Sequence, residues 1–209
     1  MEGKLTRNLS FWIAERMNRY TRKEGTSLTK MTIGIEIVLI NIIKLTIIYT
    51  LAGALGILPQ TLAIQVSFAM LKRFSFGLHS LSSTVCTLVS CFLFVLIPWA
   101  ASTFGIGIGN PGTAVIFVGI ILALYLYAPA DTKARPLVGA KTRAKLKRLA
   151  VIYGAILMIS ALLMPNETIK LLITAGAAIQ AISILPVTYK LLKRTERNYE
   201  KYEFKQTQI

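Results

Sequence analysis

Histidine and cysteine are scarce in this sequence, and acidic residues are far outnumbered by basic ones. The chain of 209 residues has one histidine, two cysteines and nine Asp or Glu, against 24 Lys or Arg. One histidine supplies neither an H-E-x-x-H motif nor a ligand set for zinc, so a metalloprotease is disfavoured and no metal or cofactor is expected. The sequence also lacks a G-x4-GK(S/T) phosphate loop and the internal repeat that many transporters carry.

Apolar residues dominate what is present. Hydrophobic residues make up 54% of the chain and charged residues only 16%, a balance too apolar for a soluble protein. The net charge of +15 is concentrated in basic blocks that alternate with apolar runs, which is typical of a polytopic membrane protein. Nucleic-acid binding would need those charges on one soluble surface, and we therefore expect no nucleic-acid partner.

The apolar runs predict an all-α polytopic membrane protein with about six transmembrane helices, because a helix needs roughly 20 residues to cross a bilayer. The predicted spans are residues 33–58, 61–71 extended by its neighbours, 84–104, 113–129, 149–164 and 168–189. The links between several of them are short turn signals, so successive helices should be antiparallel neighbours.

Three regions follow from this layout: an arm at 1–30, a membrane domain at 31–190 and a basic tail at 191–209. The membrane domain includes a candidate catalytic loop at 72–86 and a basic loop at 131–148. The loops on the other side carry no Lys or Arg, so both termini should be cytoplasmic. Within the arm, Leu5, Leu9, Trp12, Ile13 and Met17 recur at roughly helical spacing, which predicts an amphipathic helix on the inner leaflet; a solvated basic arm is the alternative.

Polar residues inside the first span are candidate functional groups, because burying an ionisable side chain in a bilayer costs a few kcal/mol. These residues are Glu36, Asn41 and Lys44. They are equally compatible with a structural network to other helices and with a functional polar path.

A second candidate group surrounds the single histidine. His79 and Cys86 provide the minimum machinery of a thiol protease, in which a thiolate attacks and an imidazole transfers the proton. A thiolate needs nearby positive charge, and Lys72 and Arg73 supply it in sequence. Cys91 lies further into the apolar run, and we interpret it as a packing residue.

Helical geometry restricts how this pair can meet. In one straight helix, residues seven apart lie about 10.5 Å apart along the axis, so the chain must break between His79 and Cys86. Gly77 permits an unusual backbone, while Ser80 and Ser83 are suitable helix N-caps, which would place Cys86 in the first turn of a span. An interfacial histidine near a packed cysteine is the alternative that these residues leave open.

The segment from Lys72 to His79, followed by Cys86, resembles the core of the accessory gene regulator B (AgrB) family of membrane endopeptidases in Gram-positive quorum-sensing systems. The run Tyr-Ala-Pro-Ala-Asp-Thr-Lys-Ala-Arg-Pro-Leu at 127–137 is similar to a second motif of that family. One departure is Phe76, which stands where the family usually has the first glycine of a pair.

The resemblance implies a multi-pass protein of a bacterial cell membrane that processes a short amphipathic propeptide of the AgrD type. Cys86 would attack the carbonyl preceding the acidic tail of the peptide, with His79 as general base. A Cys or Ser of the same peptide would then take the acyl group and close a thiolactone or lactone ring. The supporting loop residues would be Lys72, Arg73, Gly77, Ser80 and Ser83, and the residues that hold the tail would be Asp131, Lys133, Arg135, Lys141 and Arg143.

The expected partners are therefore the propeptide and the lipid bilayer, with a homodimer left open as the oligomeric state. Two other classes of function stay open as well. A peptide or ion transporter would use the polar residues of the first span, and a non-catalytic scaffold would recruit a partner through its basic loops. Loss of Cys86 discriminates between them, because a transporter or scaffold would tolerate it and a protease would not.

Overall fold

The computed structural model describes residues 2–22, 24–77, 83–131, 137 and 139–192. The regular secondary structure of these residues consists of helices joined by loops, with one π-helical turn and no strand, so the all-α prediction is confirmed. The α-helices are α1 (Glu2–Thr21), α2 (Gly25–Ala54), α3 (Leu58–Ser75), α4 (Ser83–Cys91), α5 (Ile97–Thr103), α6 (Asn110–Tyr127), α7 (Ala140–Leu163), α8 (Glu167–Ser183) and α9 (Pro186–Leu191). The π-helical turn, Phe92–Leu96, joins α4 to α5.

Four helices in the described residues are long and apolar enough to cross a membrane, which agrees with a polytopic membrane protein. They are α2, the helix Val85–Thr103, α6 and α7. The other two expected spans correspond to α3, which carries two glutamines and two basic residues, and to α8, which has 17 residues. The sequence count of about six is therefore higher than the number of helices that qualify by length and composition.

The chain forms two compact units, and the first contains residues 1–56 and 80–95. In this unit α1 packs against α2, and α2 also contacts α4. The buried positions of α1 are the small residues Thr6, Ser10 and Ala14, spaced one turn apart. The predicted apolar positions Leu9, Trp12 and Met17 are exposed, so they are available to a surface outside the protein.

The second unit contains residues 57–79 and 96–209. Its central pair is α3 and α8, and α6 and α7 pack around them. The two central helices approach closely at Gly176, where an added Cβ would overlap the backbone carbonyl of Ile64. The surrounding apolar core includes Leu71, Phe117 and Leu157, all at most 5% exposed. Since α3 and α8 bury each other, their polar side chains need partners inside the protein.

The two ends of this second unit differ in structure. At the capped end (residues 104–110 and 164–170), Asn166 caps α8 by accepting the N–H of Ile169 at 2.9 Å, and the N–H of Ile108 donates to Glu167. At the bridged end (residues 75–77, 128–131 and 180–189), the last residues of α3, α6 and α8 meet. The beginnings of the loops 72–83 and 131–148 therefore lie at the same end of the unit.

Candidate active site

Cys86 is the fourth residue of α4 and so lies in the first turn of a helix that continues to Thr103. Its side chain is half-buried and its thiol is free. Unpaired backbone N–H groups at the start of a helix favour a nearby anion, including a thiolate. The position therefore suits a nucleophilic sulfur better than a position deep in the helix would.

Cys91 is the other cysteine and ends α4, immediately before the π-helical turn. Its thiol is also free and half-buried, so exposure alone does not distinguish the two cysteines. Their positions do distinguish them, because Cys91 is more than one helical turn further from the N-terminus of α4. The dipole effect falls off within the first turn, so it favours Cys86.

Several predicted site residues lie outside the described residues. His79 and Ser80 lie between Gly77 and Ser83, and Lys133 and Arg135 lie between Asp131 and Leu137. Ser83 is described as the first residue of α4, without its side chain. The roles given to these residues stay predictions.

Lys72 and Arg73 occupy the last turn of α3, where basic side chains interact favourably with the helix dipole. The Lys72 ammonium lies 5.2 Å from the ring centroid of Phe68, and the Arg73 guanidinium lies 5.9 Å from that of Phe74. Phe74 in turn stacks on Tyr153 of α7 with a centroid separation of 4.5 Å. Cation–π contacts and ring stacking thus support the two basic side chains at the exit of α3.

The chain leaves α3 through two consecutive residues with positive φ. Phe76 has φ +56° and ψ −117°, and Gly77 has φ +96°. Gly77 is also crowded, because an added Cβ would lie 2.8 Å from Oγ of Ser183. Glycine at 77 is therefore required both by the backbone and by the space, as the sequence prediction of an unusual backbone implied. Phenylalanine at 76 is strained, because a side chain other than glycine rarely adopts this combination of φ and ψ.

A parallel bridge joins this turn to the end of α6. The N–H of Gly77 donates to the carbonyl of Ala130 at 3.1 Å, and the N–H of Ala130 donates to the carbonyl of Ser75 at 2.9 Å. The two segments that carry the family resemblance, which are over fifty residues apart in sequence, are therefore directly hydrogen-bonded. Sequence analysis identified both segments but did not predict their contact.

Gln180 of α8 also contacts the turn at residues 75–77. Sequence analysis did not identify Gln180 as a site residue. Its Nε2 donates to Oγ of Ser75 at 2.8 Å and to the carbonyl of Phe76 at 2.7 Å, and the residue is fully buried. The available signal was an amide within a predicted span, where a polar side chain is costly and is therefore a functional candidate. Lys170, buried at the capped end and hydrogen-bonded to Oδ1 of Asn110, was missed for the same reason.

A cavity of about 380 Å³ opens beside the bridge. Its lining includes Ala130 and Asp131, two basic side chains of α7, Arg143 and Lys147, and Tyr189 of α9. Arg143 donates to the carbonyl of Leu137 at 3.0 Å, and the Lys147 ammonium lies 5.0 Å from the ring centroid of Tyr125. Two of the predicted tail-binding residues, Asp131 and Arg143, thus line one cavity.

Asp131 and Lys141 lie in contrasting surroundings. Asp131 is only 3% exposed, and its backbone carbonyl accepts the Tyr189 hydroxyl at 3.0 Å, so the residue is part of the wall of the cavity. Lys141 is exposed on α7 and does not belong to the lining. Lys147, which faces the cavity, is therefore a better tail-binding candidate than Lys141.

The polar residues of the first span all lie on α2. Asn41 is exposed and its side chain donates to the carbonyl of Ile37 at 2.8 Å, which is a local bond within the helix. Glu36 and Lys44 are half-buried, and neither forms a salt bridge with any described residue. Nothing in these contacts connects the three residues to a common network.

Comparison with protein families tests whether the chain is related to the AgrB family, as the two motifs suggest. The model of the accessory gene regulator B family, AgrB, matches residues 9–184, which is most of the chain. The chain belongs to the AgrB family. The matched region extends from α1 to the end of α8, so it includes Cys86, both motifs and Gln180.

Individual AgrB relatives agree. An AgrB-like protein of Clostridium acetobutylicum is 39% identical over 209 residues, covering 99% of this chain and 98% of its own. An AgrB-like protein of Listeria innocua is 47% identical over 174 residues, with 83% and 84% covered. The accessory gene regulator protein B of Staphylococcus haemolyticus is 30% identical over 173 residues, with 83% and 90% covered. No solved structure matches the chain.

Proposed function

We propose that this protein is a membrane cysteine endopeptidase that cleaves the C-terminal tail from an AgrD-type propeptide. Membership in the AgrB family supports a role in the agr quorum-sensing system and in the processing of its propeptide. The structural observation that carries the enzymatic proposal is the half-buried thiol of Cys86 in the first turn of an apolar helix. His79, seven residues earlier, is the proposed general base.

The proposed reaction has two acyl transfers. The Cys86 sulfur attacks the carbonyl that precedes the tail, the C–N bond breaks, and the tail leaves as a free amine that receives its proton from His79. A Cys or Ser of the bound peptide then attacks the thioester, transfers its proton to restore the Cys86 thiol, and closes a thiolactone or lactone ring. Exchange of one thioester for another is nearly isoenergetic, so no ATP is needed, but water must be excluded.

The cavity beside the bridge is our proposed site for the acidic tail. Arg143 and Lys147 bring two basic side chains to its lining, and the buried Asp131 forms part of its wall. Lys133 and Arg135 follow Asp131 in the chain, and Lys141 opens the same basic helix, so they add attraction at longer range. The bridge connects the cavity to the turn that precedes His79.

The test is tail release in liposomes, with a synthetic propeptide that has an amphipathic N-terminal part, an internal cysteine and an acidic tail. Wild type and Cys91→Ala should release the tail, whereas Cys86→Ala and His79→Ala should release none. All four proteins should elute as folded, monodisperse species in detergent. Tail release by Cys86→Ala would contradict the proposal directly.

A transporter or scaffold is the second candidate, and the half-buried Glu36 and Lys44 in α2 favour it. It predicts that wild type and Cys86→Ala bind the propeptide equally and that neither cleaves it. The liposome assay therefore separates the two candidates. Replacement of Glu36 and Lys44 by Gln and Met would then abolish movement of the peptide without affecting its binding.

A further inference from the structure

Gln180 is unusual among the glutamines of the central helices. It is 0% exposed, whereas Gln60 and Gln65 of α3 are only half-buried. An amide side chain is rarely retained in a completely buried position unless it forms specific hydrogen bonds. The partners of Gln180 therefore indicate what it does.

The hydrogen bonds of Gln180 form an ordered chain. The Ser75 hydroxyl donates to the carbonyl of Leu71 at 2.8 Å, which leaves Oγ of Ser75 to accept one N–H of Gln180. The second N–H goes to the carbonyl of Phe76, which can only accept. Both donors of the amide are used, and both hold the exit of α3.

The segment held in this way has a backbone that it would not adopt unaided. Phe76 and Gly77 both have positive φ. Glycine adopts such a φ readily, but phenylalanine keeps it only when the surrounding structure imposes it. His79 lies outside the described residues and follows Gly77 by two residues in the sequence. The turn at Ser75–Gly77 is therefore the last described part of the chain before the histidine.

We propose that Gln180 is a positioning residue for His79: it fixes the Ser75–Gly77 turn from which the histidine segment departs. This inference rests on the proposed cysteine protease function. A general base must lie within about 3 Å of the group that it deprotonates, and a displacement of about 1 Å costs on the order of 10²-fold in rate. Loss of Gln180 should therefore reduce catalysis without removing any group that touches the substrate.

The decisive variant is Gln180→Met, which keeps the length of the side chain and removes both donors. The matched control is Gln60→Met, the same change in α3 near the opposite end of that helix. All variants carry Cys91→Ala, so that Cys86 is the only thiol. Ser75→Ala is a milder second variant, because it removes one of the two acceptors and leaves the turn backbone intact.

The measurement is the rate of Cys86 alkylation by iodoacetamide as a function of pH, together with tail release and the melting temperature in detergent. Wild type should react at lower pH than His79→Ala, because an imidazolium stabilises the thiolate. Gln180→Met should shift the alkylation profile towards that of His79→Ala without reaching it, and should release the tail about 10²-fold more slowly, with KM changed less than about threefold. Ser75→Ala should be intermediate, and Gln60→Met should match wild type.

The outcomes separate the two proposals. If Gln180→Met folds and has the wild-type alkylation profile, the positioning role is overturned and the protease proposal is unaffected. If Gln180→Met does not fold, a wild-type profile for Ser75→Ala has the same meaning. A lower melting temperature with an unchanged profile also overturns the positioning role, since a purely structural role has that result. If wild type and His79→Ala have the same profile and neither releases the tail, the protease and the positioning role are both overturned.

Discussion

The two ends of the second unit differ in how their helices begin or end and in how the neighbouring loops are held. At the capped end, α8 begins with an ordinary asparagine cap, the neighbouring loop makes a backbone hydrogen bond to it, Lys170 hydrogen-bonds Asn110, and the positive φ falls on a glycine, Gly105. At the bridged end, the chain uses two positive-φ residues, a parallel bridge and a fully buried amide. The second arrangement is strained and polar, and features of that kind concentrate at functional sites.

This difference indicates that stability alone does not explain why α3 ends in a strained turn at the bridged end. A simple cap or a Schellman turn would have ended α3 at lower energetic cost. The strained turn instead leads into the histidine segment and lies beside the basic cavity. The following predictions test whether the two ends really differ in this way, beginning with a change that should affect both.

Gly176→Val should have the largest effect, because it separates α3 from α8 between the two ends. Even a Cβ at this position overlaps the Ile64 carbonyl, so the free energy of unfolding should fall by about 3 kcal/mol or more. The measurement is thermal unfolding in detergent. The control is Gly119→Val in α6, where no atom lies within 4 Å of the added Cβ. Equal melting temperatures for the two variants would refute the close approach.

Gly77→Ala should damage the bridged end selectively. The left-handed backbone and the 2.8 Å contact with Ser183 force the turn to shift, so tail release should fall by about 10²-fold. Gly105→Ala is the matched control at the capped end, because Gly105 also has positive φ but lies in open space. We expect Gly105→Ala to lower stability by about 1 kcal/mol and to leave tail release unchanged. Equal activity losses for both would mean that the ends do not differ.

Phe76→Gly should remove strain at the bridged end, whereas Phe76→Ala should keep it. Both changes remove the half-buried ring, so their difference isolates the backbone, and Phe76→Gly should be more stable than Phe76→Ala by about 1 kcal/mol. The two melting curves provide the measurement. If the alanine variant were the more stable one, the result would contradict a strained, positive-φ backbone at position 76.

Lys170→Met should have the smallest effect. It replaces a buried ammonium and its bond to Asn110 by an apolar side chain of similar length, and the exposed Asn110 can exchange the lost bond for one to water, so the cost should be small. We expect stability within about 1 kcal/mol of wild type and unchanged kcat for tail release. A folded Lys170→Met protein with a large loss of kcat would show that the capped end also serves the reaction.

Much of the fold was accessible from the sequence, because periodicity and charge blocks are local signals. The all-α class, the short loops and the common end of the two motif loops all follow from them. Local signals do not reveal how helices pack against each other. The pairing of α3 with α8 depends on contacts between residues far apart in sequence. In α1, the exposed Leu9, Trp12 and Met17 fit the predicted apolar stripe, whereas the small residues that pack against α2 carried no signal in the sequence.

The candidate site was predicted only in part. Cys86 and Gly77 could be singled out by residue type and spacing, and the motifs by resemblance. Gln180 could not be assigned a role, because its partner Ser75 lies 105 residues away in sequence. The strain at Phe76 could not be predicted from the sequence either. A phenylalanine residue does not indicate a positive φ, because contacts with distant parts of the chain impose it.

The junction of residues 75–77, 128–130 and 180 has a consequence for biosynthesis. Its three parts leave the ribosome far apart in time, and Gln180 emerges last. A nascent chain would already contain His79 and Cys86 when α4 is inserted, yet its turn would still lack the amide that holds it. On this basis the proposed active site would be complete only after α8 has packed against α3.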